Sequence, residues 1–318
     1  MPFTKPIVGI DLGGTNIQIG IVSPDRKIIG RAKLKTKADQ GYEAVLDRIA
    51  QGIGEACTEA KIGASDVAAV GIGAPGPIDP NTGVVVEAVN LRWTEAPLAK
   101  DLGKRLSLPV VVDNDVNVAV YGENVMGAGK GSRFMMGVWL GTGVGGGLIL
   151  DGKLYYGHFL TAGEIGHTIH LPGSPPGSRS LENNCSRSAV AERIAGLIRA
   201  NRSSVVTTLT DGNLDAIKSK VIAQAYEAND PLVREVIEDV CDRLGAAIGS
   251  CVTLLSLERV VLGGGLSEAL GKPFVKRVGQ RVREYAFPSR CKDVDVVGSA
   301  LEDNAGVFGA ALLASERV

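Results

Sequence analysis

Three glycine-rich turns, each closing an apolar run, are the stretches of this chain best suited to chemistry. Asp11-Leu12-Gly13-Gly14-Thr15-Asn16 follows residues 7–10, Gly141-Thr142-Gly143-Val144-Gly145-Gly146-Gly147 follows residues 134–140, and Gly263-Gly264-Gly265 follows residues 259–262. Backbone N–H groups at tight turns present fixed partial positive charge, and glycine lets them come close to an anion, so such turns bind phosphate. One of them alone reads as a plain hairpin; three, each after a strand, point to a nucleotide site. None has the GxxxxGK[ST] spacing of a P-loop. Gly141-x-Gly143-x-x-Gly146 leads into a second strand pattern rather than a helix, which excludes a dinucleotide fingerprint. Asp11 either holds a hydrated Mg²⁺, an ion that prefers oxygen ligands and keeps several waters, or caps its turn.

These turns need strands to present them, and the pattern supplies them. Residues 7–10 read as a buried strand, 17–22 alternate at period two, and 27–35 offer a third strand. Residues 42–61 form an amphipathic helix, with Val45, Ile49, Ile53 and Cys57 on one face. A strand over 67–72, a short helix over 97–106 and a strand over 109–112 follow. The last of these ends at Asp113-Asn114-Asp115, and a helix continues from 116 to 125. The pattern then restarts at 134 as strand, glycine turn and strand (148–150), so the two halves read as copies of one hairpin-plus-α/β unit. Helices dominate 189–255, broken near 207–212. A strand at 259–262 and a small-residue helix over 304–313 close the chain.

The motifs Asp11-Leu12-Gly13-Gly14-Thr15 and Leu140-Gly141-Thr142-Gly143-Val144-Gly145-Gly146-Gly147 resemble the two phosphate hairpins of the actin-like ATPase fold. Gly73-Ala74-Pro75-Gly76-Pro77, Asn114-Asp115-Val116-Asn117, Gly163-Glu164-Ile165-Gly166-His167 and Leu262-Gly263-Gly264-Gly265 resemble one branch of it, the ROK family of bacterial sugar kinases and sugar-responsive repressors. The resemblance covers nearly the whole chain in the right order. It implies a two-lobed α/β protein of the actin-like ATPase, ribonuclease H-like fold, with a duplicated unit and a cleft between lobes. The small lobe would be residues 1–119 plus 304–318. The large lobe would be 120–303, its helical region 189–255 offering the homodimer face that the family tends to use. Family repressors carry a DNA-binding segment before the first glycine turn; with a strand expected from Ile7, none is expected here.

By the same resemblance, Asp115 is the catalytic base and Asn114 holds a sugar hydroxyl. Physical logic agrees: a carboxylate past a strand's carboxyl end can position an in-line hydroxyl and accept its proton, and planar amides suit ring hydroxyls. On residue types alone, Asn114 and Asp115 read equally as an Asx turn capping the next helix. Glu164, His167 and Glu182 match sugar-binding positions, and Gly76 and Asn90 match positions lining the same pocket. ATP would lie on Asp11, Gly13, Gly14, Thr15 and Asn16, on Gly141, Thr142 and Gly143, and on Gly263, Gly264 and Gly265, with Mg²⁺ on Asp11 through water. The sequence departs from the family at a zinc loop. The three positions where relatives place cysteines are Gly173, Pro175 and Ser180, so no zinc is expected. The activity implied is ATP-dependent phosphorylation of a hexose hydroxyl, glucose to glucose 6-phosphate first. The alternatives are another hexose (mannose, fructose or an N-acetylated amino sugar) or a non-catalytic sugar sensor, although a sensor needs neither Asp115 nor the phosphate hairpins.

Composition is consistent with this. At 318 residues the chain suits two lobes, and a formal net charge of −1 excludes a bulk pull toward nucleic acid or membrane. The 42 glycines show no collagen period and imply many tight turns and close backbone approaches. The five cysteines form no CxxC pair and read as reduced cytosolic thiols, with Cys57, Cys241 and Cys251 as small buried hydrophobes. No signal peptide is visible, and no apolar run reaches the roughly 20 residues of a membrane helix. A cytoplasmic protein is expected.

Overall fold

The computed structural model describes residues 3–318, and the chain divides into two compact units. The first takes the chain up to Gly127 together with Tyr156–Ala162 and Asp303–Val318; the second takes Ala128–Tyr155 and Gly163–Glu302.

In the first unit, β1 (Ile7–Leu12), β2 (Asn16–Val22) and β3 (Ile28–Lys35) form an antiparallel meander. After α1 (Tyr42–Ala60) comes β4 (Val70–Ala74), then a small sheet of β5 (Ile78–Asp79), β6 (Val84–Ala88) and β7 (Trp93–Ala96). Helix α2 (Leu98–Leu106), strand β8 (Val110–Asn114) and helix α3 (Asp115–Met126) follow. The main sheet runs β3-β2-β1-β4-β8, with β4 parallel to β1 and β8 parallel to β4. The four stripe residues of α1, Val45, Ile49, Ile53 and Cys57, are all buried in the core that includes this sheet. Register sets Asp11 opposite Gly73, Gly73 opposite Asp113, and Ala74 opposite Asn114. The polar residues thus stand at the carboxyl ends of β1 and β8, with Gly73 and Ala74 of β4 between them, where α/β sheets hold ligands.

The second unit repeats the plan. Strands β9 (Met135–Leu140), β10 (Val144–Leu150) and β11 (Lys153–Leu154) form the antiparallel part. Helices α4 (Leu181–Cys185), α5 (Arg187–Arg199), α6 (Val206–Leu209), α7 (Ser219–Glu227) and α8 (Pro231–Leu255) follow. Then come β12 (Arg259–Gly263), α9 (Gly265–Tyr285) and β13 (Asp295–Gly298). The sheet order is β11-β10-β9-β12-β13, with β12 parallel to β9 and β13 parallel to β12. Each sheet therefore has a meander on one side of its first strand and parallel strands on the other. This is the duplicated unit of the actin-like ATPase fold.

The last helix, α10 (Ala305–Arg317), returns to the first unit and packs on β1, β4 and α3. It lies at backbone contact. A Cβ at Gly71 would run into the Ala310 carbonyl oxygen, and one at Gly309 into that of Val118. Glycine at these positions lets α10 approach β4 and α3 more closely than any side chain permits.

The expected lobe boundary at residue 119 falls inside α3. That helix belongs whole to the first unit because α10 packs along its length, and the unit also takes Tyr156–Ala162 from the expected large lobe. Strand β4 starts at Val70 rather than 67. Helix α9, strand β13 and the small β5–β7 sheet were not foreseen. Helix α9 contains Gly271 at φ 66° and Pro273, which read as breakers. Cys57, Cys185 and Cys241 are buried and Cys251, expected inside, is half-buried; all five thiols are free. Among the described residues, no helix is long and apolar enough to cross a membrane.

Gly309→Val should destabilise the protein by about 3 kcal/mol or more, since neither α10 nor the Val118 carbonyl of α3 can give way without parting two packed helices. A thermal midpoint equal to that of wild type would contradict this packing.

Candidate active site

Strand β8 ends at Asn114, which caps α3 with φ −64° and ψ 143°. Its side-chain oxygen accepts the N–H groups of Val116 (2.9 Å) and Asn117 (3.1 Å), and its amide nitrogen donates to the Gly76 carbonyl (3.1 Å). The Asx-cap reading is therefore realised, and at most one side-chain N–H of Asn114 is left for a sugar hydroxyl. Asp115 is the first residue of α3, partly exposed, and its Oδ1 accepts the Val116 N–H at 2.9 Å. A negative side chain in the first helical turn is favoured by the helix dipole. Gly76 and Asn90 are placed by the small sheet: Gly76 lies against Glu87 and Ala88 of β6, and Asn90 follows β6 and packs on Gly14. The first unit thus gathers Gly76, Asn90, Asn114 and Asp115 beside its phosphate hairpin.

In that hairpin Asp11 and Leu12 belong to β1, and the turn itself is Gly13 to Thr15. The Gly13 N–H donates to the Asn16 carbonyl (2.9 Å), and the Thr36 hydroxyl donates to the Gly13 carbonyl (2.6 Å). The Asn16 side-chain oxygen accepts from Lys35 Nζ at 3.0 Å. The Asp11 carboxyl lies against Gly306 in the first turn of α10. Its pKa is raised to about 6, first by burial and then by the charge of Asp303, with Lys33 pulling the other way. Two neighbouring acidic side chains fit a cation that keeps most of its waters, which is how Mg²⁺ binds.

In the second unit the turn is Gly141 to Gly143 only. Gly145, Gly146 and Gly147, expected in the glycine loop, pair within β10 to Trp139, Val138 and Gly137. Their role is close approach: the Gly163 carbonyl occupies the space a Cβ at Gly146 would need. This lays the Gly163–His167 segment directly on β10. Glu164 and His167 are exposed there, with His167 Nε2 3.9 Å from Glu164 Oε2. Glu182, on α4, turns one oxygen to the hairpin and accepts the Val144 N–H at 2.9 Å. Arg187, which carried no signal in the sequence, donates to the Thr142 hydroxyl at 3.0 Å. Gly263 ends β12, and Gly264, at φ 84°, caps α9, where its N–H donates to Glu268 at 3.1 Å. The third glycine turn is therefore the N-terminal entry of α9, whose first helical stretch runs to the kink at Gly271, and a helix N-terminus favours anions.

The loop over residues 173–180, where the resemblance implied a zinc site in the family, is closed by hydrogen bonds. Arg179's carbonyl accepts the N–H groups of His170 (2.8 Å) and Leu171 (3.0 Å), and its guanidinium donates to the Ser174 carbonyl. Asn184 donates to the carbonyls of Ser178 (3.0 Å) and Ser180 (2.8 Å), and Ser180 caps α4. Among the described residues, no three His, Cys, Asp or Glu side chains gather as metal ligands, so the residues present do not fit zinc. His158 is exposed, while His170 is half-buried and held below the ordinary imidazole range by burial and by Arg243.

The ROK family profile matches residues 7–317, and the chain belongs to the ROK family. It is 32% identical to a glucokinase of Halalkalibacterium halodurans over 98% of this chain and 95% of that one. It is 33% identical to a glucokinase of Thermotoga maritima over 100% of this chain and 99% of that one. A ROK family glucokinase from Streptomyces griseus, crystallised with glucose and AMPPNP, matches at a TM-score of 0.85 and 31% identity, covering 98% and 99% of the two chains.

The raised Asp11 pKa makes the folded state favour the protonated carboxyl, so Asp11's contribution to stability is full at low pH and is lost as pH rises through about 6. Without ligands, Asp11→Asn should therefore gain thermal stability relative to wild type between about pH 4 and pH 8; a pH-independent difference would contradict the shift. Asn184→Ala should lower stability by about 1–2 kcal/mol through its two lost bonds. Dialysis against a zinc chelator should leave the thermal midpoint of wild type unchanged, and a fall on chelation would refute the hydrogen-bonded account of the loop.

Proposed function

We propose that this protein is a sugar kinase that transfers the γ-phosphoryl group of ATP to a hexose hydroxyl, with glucose the first substrate and glucose 6-phosphate its product. The observation that carries the reading is the register that sets Asp11 at the end of β1 and Asp113 and Asn114 at the end of β8, across β4, with Asp115 opening α3 just beyond, in a chain that matches glucokinases along its whole length.

In the first unit, the Asp115 carboxylate positions the acceptor hydroxyl and takes its proton as the oxygen–phosphorus bond forms. Asn114 offers its remaining N–H to a neighbouring hydroxyl, and Gly76 and Asn90 line that side of the sugar. In the second unit, Glu164, His167 and the second oxygen of Glu182 serve as further hydroxyl partners. The Gly13 and Gly141 N–H groups are engaged inside their own turns, so Gly14, Thr15, Thr142 and Gly143 present the donors to phosphate, and Gly263 to Gly265 take the rest of the nucleotide. Mg²⁺ on Asp11 through water would neutralise developing charge on the phosphates. The protein works in the cytoplasm, on a small-molecule sugar and without nucleic acid or membrane. It works as a homodimer through its helical region, where Leu254 is exposed beside Phe287.

A coupled assay should show sugar-dependent ADP release. Asp115→Ala should lower kcat by about 10²–10⁴-fold while calorimetry still detects glucose binding. A panel at fixed ATP should rank glucose above mannose, fructose and N-acetylated amino sugars. Wild type as inert as Asp115→Ala, with sugar still bound, would replace the kinase reading with that of a sugar sensor.

A further inference from the structure

Asp113, one residue before Asn114, is 1% exposed. Its Oδ1 accepts the Asn114 backbone N–H at 2.8 Å and the Asn117 side-chain amide at 3.2 Å. That oxygen thereby ties the end of β8 to the first turn of α3, on either side of Asp115. Its Oδ2 accepts the Tyr156 hydroxyl at 2.6 Å and the Arg317 guanidinium at 3.1 Å. Arg317 also donates to the Tyr156 oxygen and to the Pro80 carbonyl. Burial, then the Asp113 charge, holds the Tyr156 phenol above its ordinary range, so its O–H remains a donor. A carboxylate this deeply buried needs a cation and a full set of donors, and Arg317 supplies the cation. The three residues come from three stretches of the first unit, 43 and 204 positions apart along the chain from Asp113.

We propose that Tyr156 and Arg317 are positioning residues for phosphoryl transfer: by holding Asp113 from behind, they set the orientation of the β8–α3 junction and with it the aim of Asp115. The inference rests on Asp115 being the acceptor base, as argued above. A fixed backbone alone leaves some rotation at a strand-to-helix junction; a side chain clamped on both oxygens removes it. Misplacement of a reacting group by an ångström costs about 10²-fold in rate, so a clamp of this kind acts on turnover before it acts on binding.

Tyr156 and Arg317 also line a cavity of about 600 Å³ with Thr82, Val112 and Leu160, which gives small cations access to the clamp. The test measures kcat, KM for ATP and glucose, and thermal midpoint for Tyr156→Phe, Arg317→Lys and Arg317→Ala, with Asp115→Ala beside them. Tyr156→Phe, which keeps the ring, should lower kcat about tenfold with KM for ATP unchanged. Arg317→Ala should lower it further, and Arg317→Lys should restore part of the loss, as should guanidinium ion added to Arg317→Ala below denaturing concentration. Wild-type kcat in Tyr156→Phe and Arg317→Lys, with only the thermal midpoint lowered, would overturn the proposal even if Arg317→Ala fails to fold. If Asp115→Ala is inert while Tyr156→Phe turns over like wild type, the positioning proposal alone fails. If Asp115→Ala turns over like wild type, the base assignment fails and the proposal with it.

Discussion

The first turn of α3 begins with backbone N–H groups that have no partner inside the helix, and the residues at this end of the first sheet are arranged around that deficit. Asn114 takes two of the N–H groups with one side-chain oxygen, and Asp115 accepts the N–H of the next residue. Capping and chemistry are therefore done by the same side chains. A cap fixes the helix start relative to the strand before it, and a fixed start is what a reacting carboxylate at the first helical position requires. The two readings open at Asn114 and Asp115 on residue types alone describe one arrangement.

Glycine does two different jobs in this chain, and composition alone does not separate them. Gly13, Gly14, Gly141 and Gly143 lie in or at turns between strands, where bare backbone can face phosphate. Gly71, Gly146 and Gly309 sit inside strands or helices, where another carbonyl occupies the space of the missing side chain. The second kind draws α10 onto the first sheet and the Gly163–His167 segment onto β10, and so decides where functional residues stand.

Fold and site were legible in the sequence to different depths. The strands ahead of each glycine turn, the α1 stripe and the helix after Asp115 follow from period and punctuation, which are local. Gly145, Gly146 and Gly147 were assigned to a loop because glycine signals a turn unless a neighbour distant in sequence presses on it. Asp113, Tyr156, Arg317 and Arg187 carried no local signal, since each matters through partners far along the chain or across a loop. Glu182 was found by resemblance, but its bond to the Val144 N–H depends on how α4 docks on the hairpin. The loop at 173–180 shows the converse: the absence of thiols follows from the residues at the matched positions, Gly173, Pro175 and Ser180, whereas the carbonyl of Arg179 and the amide of Asn184 that hold it depend on three-dimensional closure.

The first unit is discontinuous. Its sheet is made early in the chain, but the helix that covers Gly71 and packs along α3 comes only after the second unit. During translation roughly the first 300 residues leave the ribosome with one face of that sheet bare, while nearly all of the second unit is already present. The unit made first is thus completed last. A nascent chain stopped short of Ala305 leaves apolar strand surface at β1 and β4 without the helix that covers it.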